Sequence, residues 1–262
     1  MDETQFEILP VTLVNQHHDQ IDDSISAKFA DLKDSELSVD SFSFYTSVSA
    51  VFSSRIEGEN IELDSFVKHK LMGVQFTPDH TQKIDDLYDA YQFARQSALN
   101  ADTIKQAHIL LTSHILQKHQ QGVLRTGNMF VTTSNGKIEY VACAPGSLAA
   151  ELDKLYNDIA ALISTQLTIK EVFFFASLIH LVFVKIHPFN DGNGRSARLI
   201  EKWFLAQKLG EKAWYFQSEK SYYDHHNIYY TNIRKLGLEY DMLDYGQALP
   251  FLLMLPNALT NT

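Results

Sequence analysis

The stretch VFFFASLIHLVFVKI, from Val172 to Ile186, is the most apolar part of the chain and constrains everything around it. It falls short of the ~18 apolar residues that mark a membrane-spanning helix, and His180 interrupts it. A helix that is hydrophobic on all sides must then lie buried, with other elements wrapped around it. The spacing predicts this helix over Thr168–Ile186. Pro188 ends it, and Asp191-Gly192-Asn193-Gly194 turns the chain into a second helix reaching to about Leu209.

The rest of the chain supplies what such a core needs. Of 262 residues, 45% are hydrophobic, enough for one large domain or a domain with an appendage. Lys and Arg number 22 against 32 Asp and Glu, a net charge of −10. That balance argues against nonspecific nucleic-acid binding, which needs clustered cations, but leaves room for a small anion at a focused site. Cys143 is the single cysteine, which excludes an internal disulfide and argues against a cysteine zinc site. It reads as a small buried hydrophobe. The start, MDETQFEILPVTL, lacks a basic stretch followed by an apolar one, so no signal peptide is expected. The expected location is the cytoplasm, without a membrane anchor.

Most other segments carry helical spacing. Helices are predicted over Val39–Gly58, over IELDSFVKHKLM, and over PDHTQKIDDLYDAYQFARQSAL with a proline at its start. DTIKQAHILLTSHILQKH follows, with Asp102 as N-cap. Further helices are expected from about Ser147, near Glu219–Leu236 and near Tyr245–Leu255. MFVTTSNGKIEYVAC (Met129–Cys143) differs: β-branched residues flank Asn135-Gly136, a strong hairpin signal. The expected fold class is all-α with one β-hairpin. Residues 1–38 form a helical extension and 39–256 the main domain, which includes a helix at 39–58, the hairpin at 129–142 and the loop at 187–198.

That loop, HPFNDGNGRSAR, is chemically dense. Glycines allow a turn that aims successive N–H groups at one point, and the following helix adds its free N–H groups and positive dipole end. Arg195 and Arg198 share the first turns of that helix and can both reach the cradle. Asp191 beside a phosphate would suit Mg²⁺, which binds through one or two carboxylates plus phosphate oxygens. His187 could take a proton from a hydroxyl. A plain turn between helices, with its arginines on a solvated face, is the competing reading at this stage.

The twelve residues resemble the signature of the Fic family, His-Pro-Phe-x-Asp/Glu-Gly-Asn-Gly-Arg-x-x-Arg, at every fixed position. The resemblance implies a mostly helical domain that transfers AMP from ATP to a hydroxyl side chain of a target protein, releasing pyrophosphate. It implies His187 as the base, Asp191 as the Mg²⁺ ligand, and Gly192, Asn193 and Gly194 as the anion hole. Arg195 would contact the β-phosphate region and Arg198 the γ-phosphate. SSRIEGEN, beginning at Ser53, is similar to the family's inhibitory motif Ser/Thr-x-x-x-Glu-Gly/Asn. Ser53, Glu57 and Gly58 take its fixed positions, and Glu57 would pair with Arg198 and hold ATP out of line. Without the first motif, an exposed glutamate near a helix end would be the simpler reading.

The resemblance extends loosely to GVLRTGNMFVTTSNGKIEYVACAP, where the family carries a flap that pairs with its target. Met129, Phe130 and Val131 would line the nucleotide. Tyr229 and Tyr230 match a tyrosine pair placed near adenine, although His225 stands where an asparagine is often found. The remaining histidines show no metal-ligand pattern, and His180 reads as a satisfied core residue. No C-terminal winged-helix domain is expected; a homodimer fits the exposed helical faces. The readings carried forward are an autoinhibited adenylyltransferase, an enzyme that removes AMP or transfers another nucleotidyl or phosphoryl group, and a non-catalytic ATP-sensing module.

Overall fold

The computed structural model describes residues 6–40, 42–76, 81–132 and 138–260. Its helices are α1 (Val14–Asp19), α2 (Ile25–Ala30), α3 (Phe44–Ile56), α4 (Leu63–Met72), α5 (Gln82–Arg95), α6 (Ala101–Leu111), α7 (Leu148–Ser164), α8 (Ile169–Ile186), α9 (Asn193–Leu209), α10 (Ser218–Asp224), α11 (His226–Arg234), α12 (Leu249–Leu252) and α13 (Met254–Thr260). Strands β1 (Phe130–Thr132) and β2 (Ile138–Val141) form one antiparallel pair. The fold is all-α with a β-hairpin, as the sequence implies.

Helix α8 is the axis of the molecule. Thr168 and Glu171 form a capping box at its start, and every residue from Val172 to Ile186 is buried. Helix α9 packs along it, and α7, α1, α2, α12 and α13 close around the other sides. His180 is satisfied in the core, with Nδ1 2.8 Å from Glu201 and Nε2 2.9 Å from the Tyr229 hydroxyl. The N-terminal segment is knitted to this body. The Asp158 carboxylate on α7 accepts from the N–H groups of Glu7, Ile8 and Leu9 at 2.8–2.9 Å. His17 is fully buried, and burial lowers its pKa to about 4. No described helix is long and apolar enough to cross a membrane.

Several expected boundaries move, each for a local reason. Helix α3 begins at Phe44 because Val39 and Phe42 pair as a short antiparallel bridge and Ser43 then caps the helix, accepting from Thr46 N–H. The cap of α6 is Asn100, in a reciprocal box with Thr103, which leaves Asp102 inside the first turn. Helix α6 stops at Leu111 because the Thr112 and Ser113 hydroxyls turn back onto the carbonyls of His108, Ile109 and Leu110. The expected helix near 219–236 is two, α10 and α11, broken at His225, whose Nδ1 lies 2.9 Å from Ser221 O. The segment near 245–255 is a 3₁₀ turn followed by α12 and α13. The Asn135-Gly136 turn and the proline start of the third expected helix lie outside the described residues.

The hairpin pairs Phe130 with Val141 and Val131 with Tyr140, with an irregularity after Val131. Its β2 side is covered: Val141 N–H donates to Leu238 O at 2.7 Å and bridges Glu239 in parallel. Among the described residues, β1 has no strand on its outer side.

Candidate active site

The loop between α8 and α9 brings three signature residues, His187, Gly194 and Arg198, to one small cavity of about 70 Å³; Asp191, Gly192, Asn193 and Arg195 do not line it. Glu57, Val131, Tyr140, His187, Gly194, Arg198, Tyr229 and Tyr230 are among its lining residues. His187 caps α8 in the left-handed region, at φ 52° and ψ 60°, the one non-glycine residue with positive φ among those described. Such a conformation costs energy and persists only where surroundings over-determine it. Here they do. Its N–H closes on Phe183 O at 3.0 Å, and Nδ1 lies 3.2 Å from Val184 O and 3.1 Å from the Tyr140 hydroxyl. Tyr140 itself donates to Val184 O at 2.9 Å, so toward His187 its oxygen is the acceptor. That pattern puts the proton on Nδ1 and leaves Nε2 with its lone pair. Burial lowers the pKa of His187 to about 4, so the ring is neutral at pH 7.

The turn after it is braced from within. The Asn193 side chain accepts from Phe189 N–H and donates to Phe189 O, both at 2.9 Å, so only its backbone N–H can face an anion. Gly192 has φ 78°, and a Cβ there would come within 2.7 Å of Thr112 Cγ2, so both conformation and packing require glycine. A Cβ on Gly194 would collide with the Glu57 carboxylate. Glu57 Oε1 therefore rests against the backbone at the start of α9, on the free N–H end and positive dipole of that helix.

Arg198 is fully buried. Its Nε donates to Ser53 Oγ at 2.8 Å, Nη2 to Ser53 O at 3.0 Å and to Glu57 Oε1 at 2.6 Å, and Nη1 approaches the Tyr229 hydroxyl at 3.4 Å. Burial opposes charge on both partners of the pair. The attraction outweighs it, holding the Glu57 carboxyl below its usual range and raising the Arg198 pKa. Local structure explains how Glu57 gets there. Gly58, at φ 91°, donates to Arg55 O, and Glu59 N–H donates to Ser54 O, a Schellman end to α3. Glu57 is the capping residue, and its side chain, 27% exposed, projects past the helix end onto the loop.

Arg195 is in a different state. Its side chain is 5% exposed, yet its nearest carboxylates, Glu59 at 3.8 Å and Asp191 at 4.0 Å, stand at long range. Its Nε finds no hydrogen-bond partner among the described residues. A buried guanidinium with unspent donors at a helix N-terminus is the composition of an anion site. Asp191 is largely exposed at the mouth, with Oδ1 accepting from Gly192 N–H at 2.6 Å. A single accessible carboxylate, with no second acid in a ligand cluster among the described residues, fits an ion that takes most of its ligands from phosphate and water.

The structure brings together His187, Gly194, Arg198, Ser53, Glu57, Val131, Tyr229 and Tyr230. Val131 faces the cavity while Phe130, half exposed, lines the opposite face with Glu239, as strand alternation requires. Met129 contributes its carbonyl, accepting from Ala142 N–H at 3.0 Å. Tyr229 is 1% exposed, with its hydroxyl shared between His180 and Arg198, so it forms the wall behind Arg198. Tyr230 is the partly open member of the pair. Sequence reasoning missed Glu59, Tyr140, His108 and Arg125. Glu59 was visible two residues past Glu57. The other three act mainly through backbone atoms distant in sequence.

Residues 98–205 match the Fic/DOC family model. Over 134 residues the chain is 30% identical to a protein adenylyltransferase Fic of Nematostella vectensis, covering 51% of this chain and 29% of that protein's length. Among solved structures, a Fic family protein of Desulfovibrio desulfuricans superposes with a TM-score of 0.73 at 18% identity, over all of this chain and 74% of its own. A Fic domain-containing signalling protein of Bacteroides thetaiotaomicron gives 0.68 at 16% identity, over 95% of this chain and 93% of its own. Fic-1 of Caenorhabditis elegans gives 0.67 at 16%, over 95% and 69%. The signature loop thus lies inside the segment that matches the Fic/DOC family model, residues 98–205, and the helical fold around it is the one these Fic proteins share.

Proposed function

We propose that the protein is a protein adenylyltransferase held in an autoinhibited state, transferring AMP from ATP to a serine, threonine or tyrosine hydroxyl. The observation that carries this reading is the Glu57 carboxylate seated on Arg198 and against Gly194 in a cavity of about 70 Å³. Pockets that hold drug-sized ligands run to ~300 Å³ or more, so a nucleotide can enter only when Glu57 leaves. A phosphate brings more charge and more acceptor oxygens than the carboxylate it would replace.

With ATP seated, Arg198 and Arg195 neutralise the terminal phosphates and the N–H groups opening α9 cradle the chain between them. His187 Nε2 takes the proton of the attacking hydroxyl as its oxygen bonds to the α-phosphorus. The bond to the bridging oxygen breaks on the opposite side, and pyrophosphate departs. Asp191 would hold Mg²⁺ together with phosphate oxygens, and the ion supplies neutralisation of phosphate charge. The open edge of β1 offers N–H and C=O groups on which an extended target segment could pair, bringing its hydroxyl toward His187. Mass spectrometry of proteins incubated with Glu57→Gly and ATP tests the chemistry. The reading expects AMP on a hydroxyl and pyrophosphate in solution; ATP bound without either points to a sensing module.

One observation favours a second reading, removal of AMP from a modified target. Glu57 shares the cavity with His187, where its carboxylate could orient a water. Release of AMP from a modified substrate by the wild type, lost in Glu57→Gly, would select it.

A further inference from the structure

Two fully buried polar side chains outside the signature spend their hydrogen bonds on the backbone of the catalytic loop. Arg125 is 2% exposed. Its Nε donates to His187 O at 2.7 Å, Nη1 to Gly127 O at 2.7 Å, and Nη2 to Cys143 O and, at 3.4 Å, to Ile186 O. Its own N–H donates to Pro188 O at 3.0 Å, and the neighbouring Leu124 bridges Phe189. All these acceptors are carbonyls and none is a carboxylate. Burying a guanidinium without an acid is costly, and burial lowers the Arg125 pKa accordingly. The carbonyl end of α8 offsets part of that cost. A neutral donor could tie one carbonyl more cheaply; only a planar fork ties four at fixed angles.

The four carbonyls are not arbitrary. Ile186 and His187 are the peptides on either side of the strained base. Gly127 precedes β1 and Cys143 follows β2, so the same side chain grips both roots of the hairpin. His108, fully buried, serves the other end of the loop. Its Nε2 donates to Asp191 O at 3.0 Å, its Nδ1 accepts from Gly122 N–H at 2.9 Å, and its ring stacks on Phe189 with centroids 3.6 Å apart.

We infer that Arg125 and His108 are positioning residues forming a bracket around the catalytic loop: Arg125 sets the His187 base and couples it to the flap, and His108 sets Asp191. The inference rests on the adenylyl-transfer reading for its kinetic consequences, but its geometric content does not. The halves are separable. Loosening the 187 end misplaces the base, and loosening the 191 end weakens the grip on ATP with its Mg²⁺.

The test uses the full chain carrying Glu57→Gly, with Arg125→Met, Arg125→Lys or His108→Phe added. Transfer is expressed per ATP-binding site counted by calorimetry, so that misfolded protein drops out. Arg125→Met should lower kcat on the order of 100-fold, as a small displacement of a reacting group does, while KM for ATP stays within about threefold. Arg125→Lys should not restore kcat, since one ammonium cannot span the four carbonyls. His108→Phe keeps the stack but should raise KM for ATP about tenfold or more with a smaller fall in kcat. Imidazole ¹⁵N spectra give a readout independent of transfer: His187 should be one neutral tautomer, protonated on Nδ1, in the parent and a mixture in either Arg125 variant. Unchanged kcat per site and an unchanged tautomer in Arg125→Lys or Arg125→Met would overturn the bracket. If the Glu57→Gly parent transfers nothing, the functional reading fails while the spectra still decide the bracket.

Discussion

In the loop from His187 to Arg198, the turn itself is braced: the His187 ring by Tyr140 and Val184, the Phe189 backbone by Asn193, and Gly192 by packing on α6. At the end of α3, by contrast, Glu57 hangs past a Schellman turn, 27% exposed, with one short hydrogen bond to Arg198. It also sits at a helix C-terminus, where a carboxylate is disfavoured. The two regions meet at the same guanidinium. The difference teaches where a switch can act. The loop is braced in one geometry, and the part with least holding it is the Glu57 carboxylate on Arg198. On this account activation needs Glu57 to withdraw and asks nothing of the loop.

The comparison can be broken at its rigid end first. In a Glu57→Gly background, His187→Ala should lower transfer by about 100- to 10,000-fold, the range for loss of a general base, measured as labelled AMP on protein. Gly194→Ala separates expelling Glu57 from opening the site. The added methyl collides with the carboxylate, yet it also fills the cradle, so transfer should fall below that of Glu57→Gly by on the order of 100-fold. An active Gly194→Ala would show that the cradle does not hold phosphate.

Stability against pH probes three buried histidines, two of them at the loop and His17 beside α12. Burial holds His187, His108 and His17 near 4, against 6.5 when exposed. Between those values the unfolded chain binds more protons, so stability is full above 6.5 and is lost as pH falls toward 4. For His108 alone the loss from pH 7 to pH 5 is about 2 kcal/mol, readable by urea titration at the two values. Equal midpoints would contradict the burial of these rings. The smallest effect belongs to Ser53→Ala. Arg198 keeps Ser53 O but loses Oγ, which should cost about 1 kcal/mol in unfolding free energy and modestly raise basal transfer.

What the sequence disclosed follows from where the information lies. The 187–198 loop is contiguous, so its glycines, arginines and histidine announce one another. Glu57 was legible only through the resemblance of SSRIEG to the family's inhibitory motif, because the residues by themselves read as an exposed glutamate near a helix end stopped by Gly58. The central helix was plain from its apolar run. Arg125 and His108 were not legible, because their partners are carbonyls 62 and 83 residues away and a carbonyl has no residue type. Tyr229 carried an aromatic pattern that suits a base-stacking surface or a core equally, and its burial behind Arg198 is a tertiary fact. The end of α6 was misjudged for a local reason, since apolar spacing continues past Leu111 while the hydroxyls of Thr112 and Ser113 end the helix.

The central claim is that one carboxylate on Arg198 keeps a competent site silent. The most direct measurement is the rate at which wild type and Glu57→Gly, at equal concentration with Mg²⁺ and α-labelled ATP, transfer label to themselves and to proteins of a cell lysate. The account predicts slow or no labelling by the wild type and labelling at least about fivefold faster by Glu57→Gly, the ratio expected for a coupling of about 1–3 kcal/mol or more. Equal labelling by the two would contradict it.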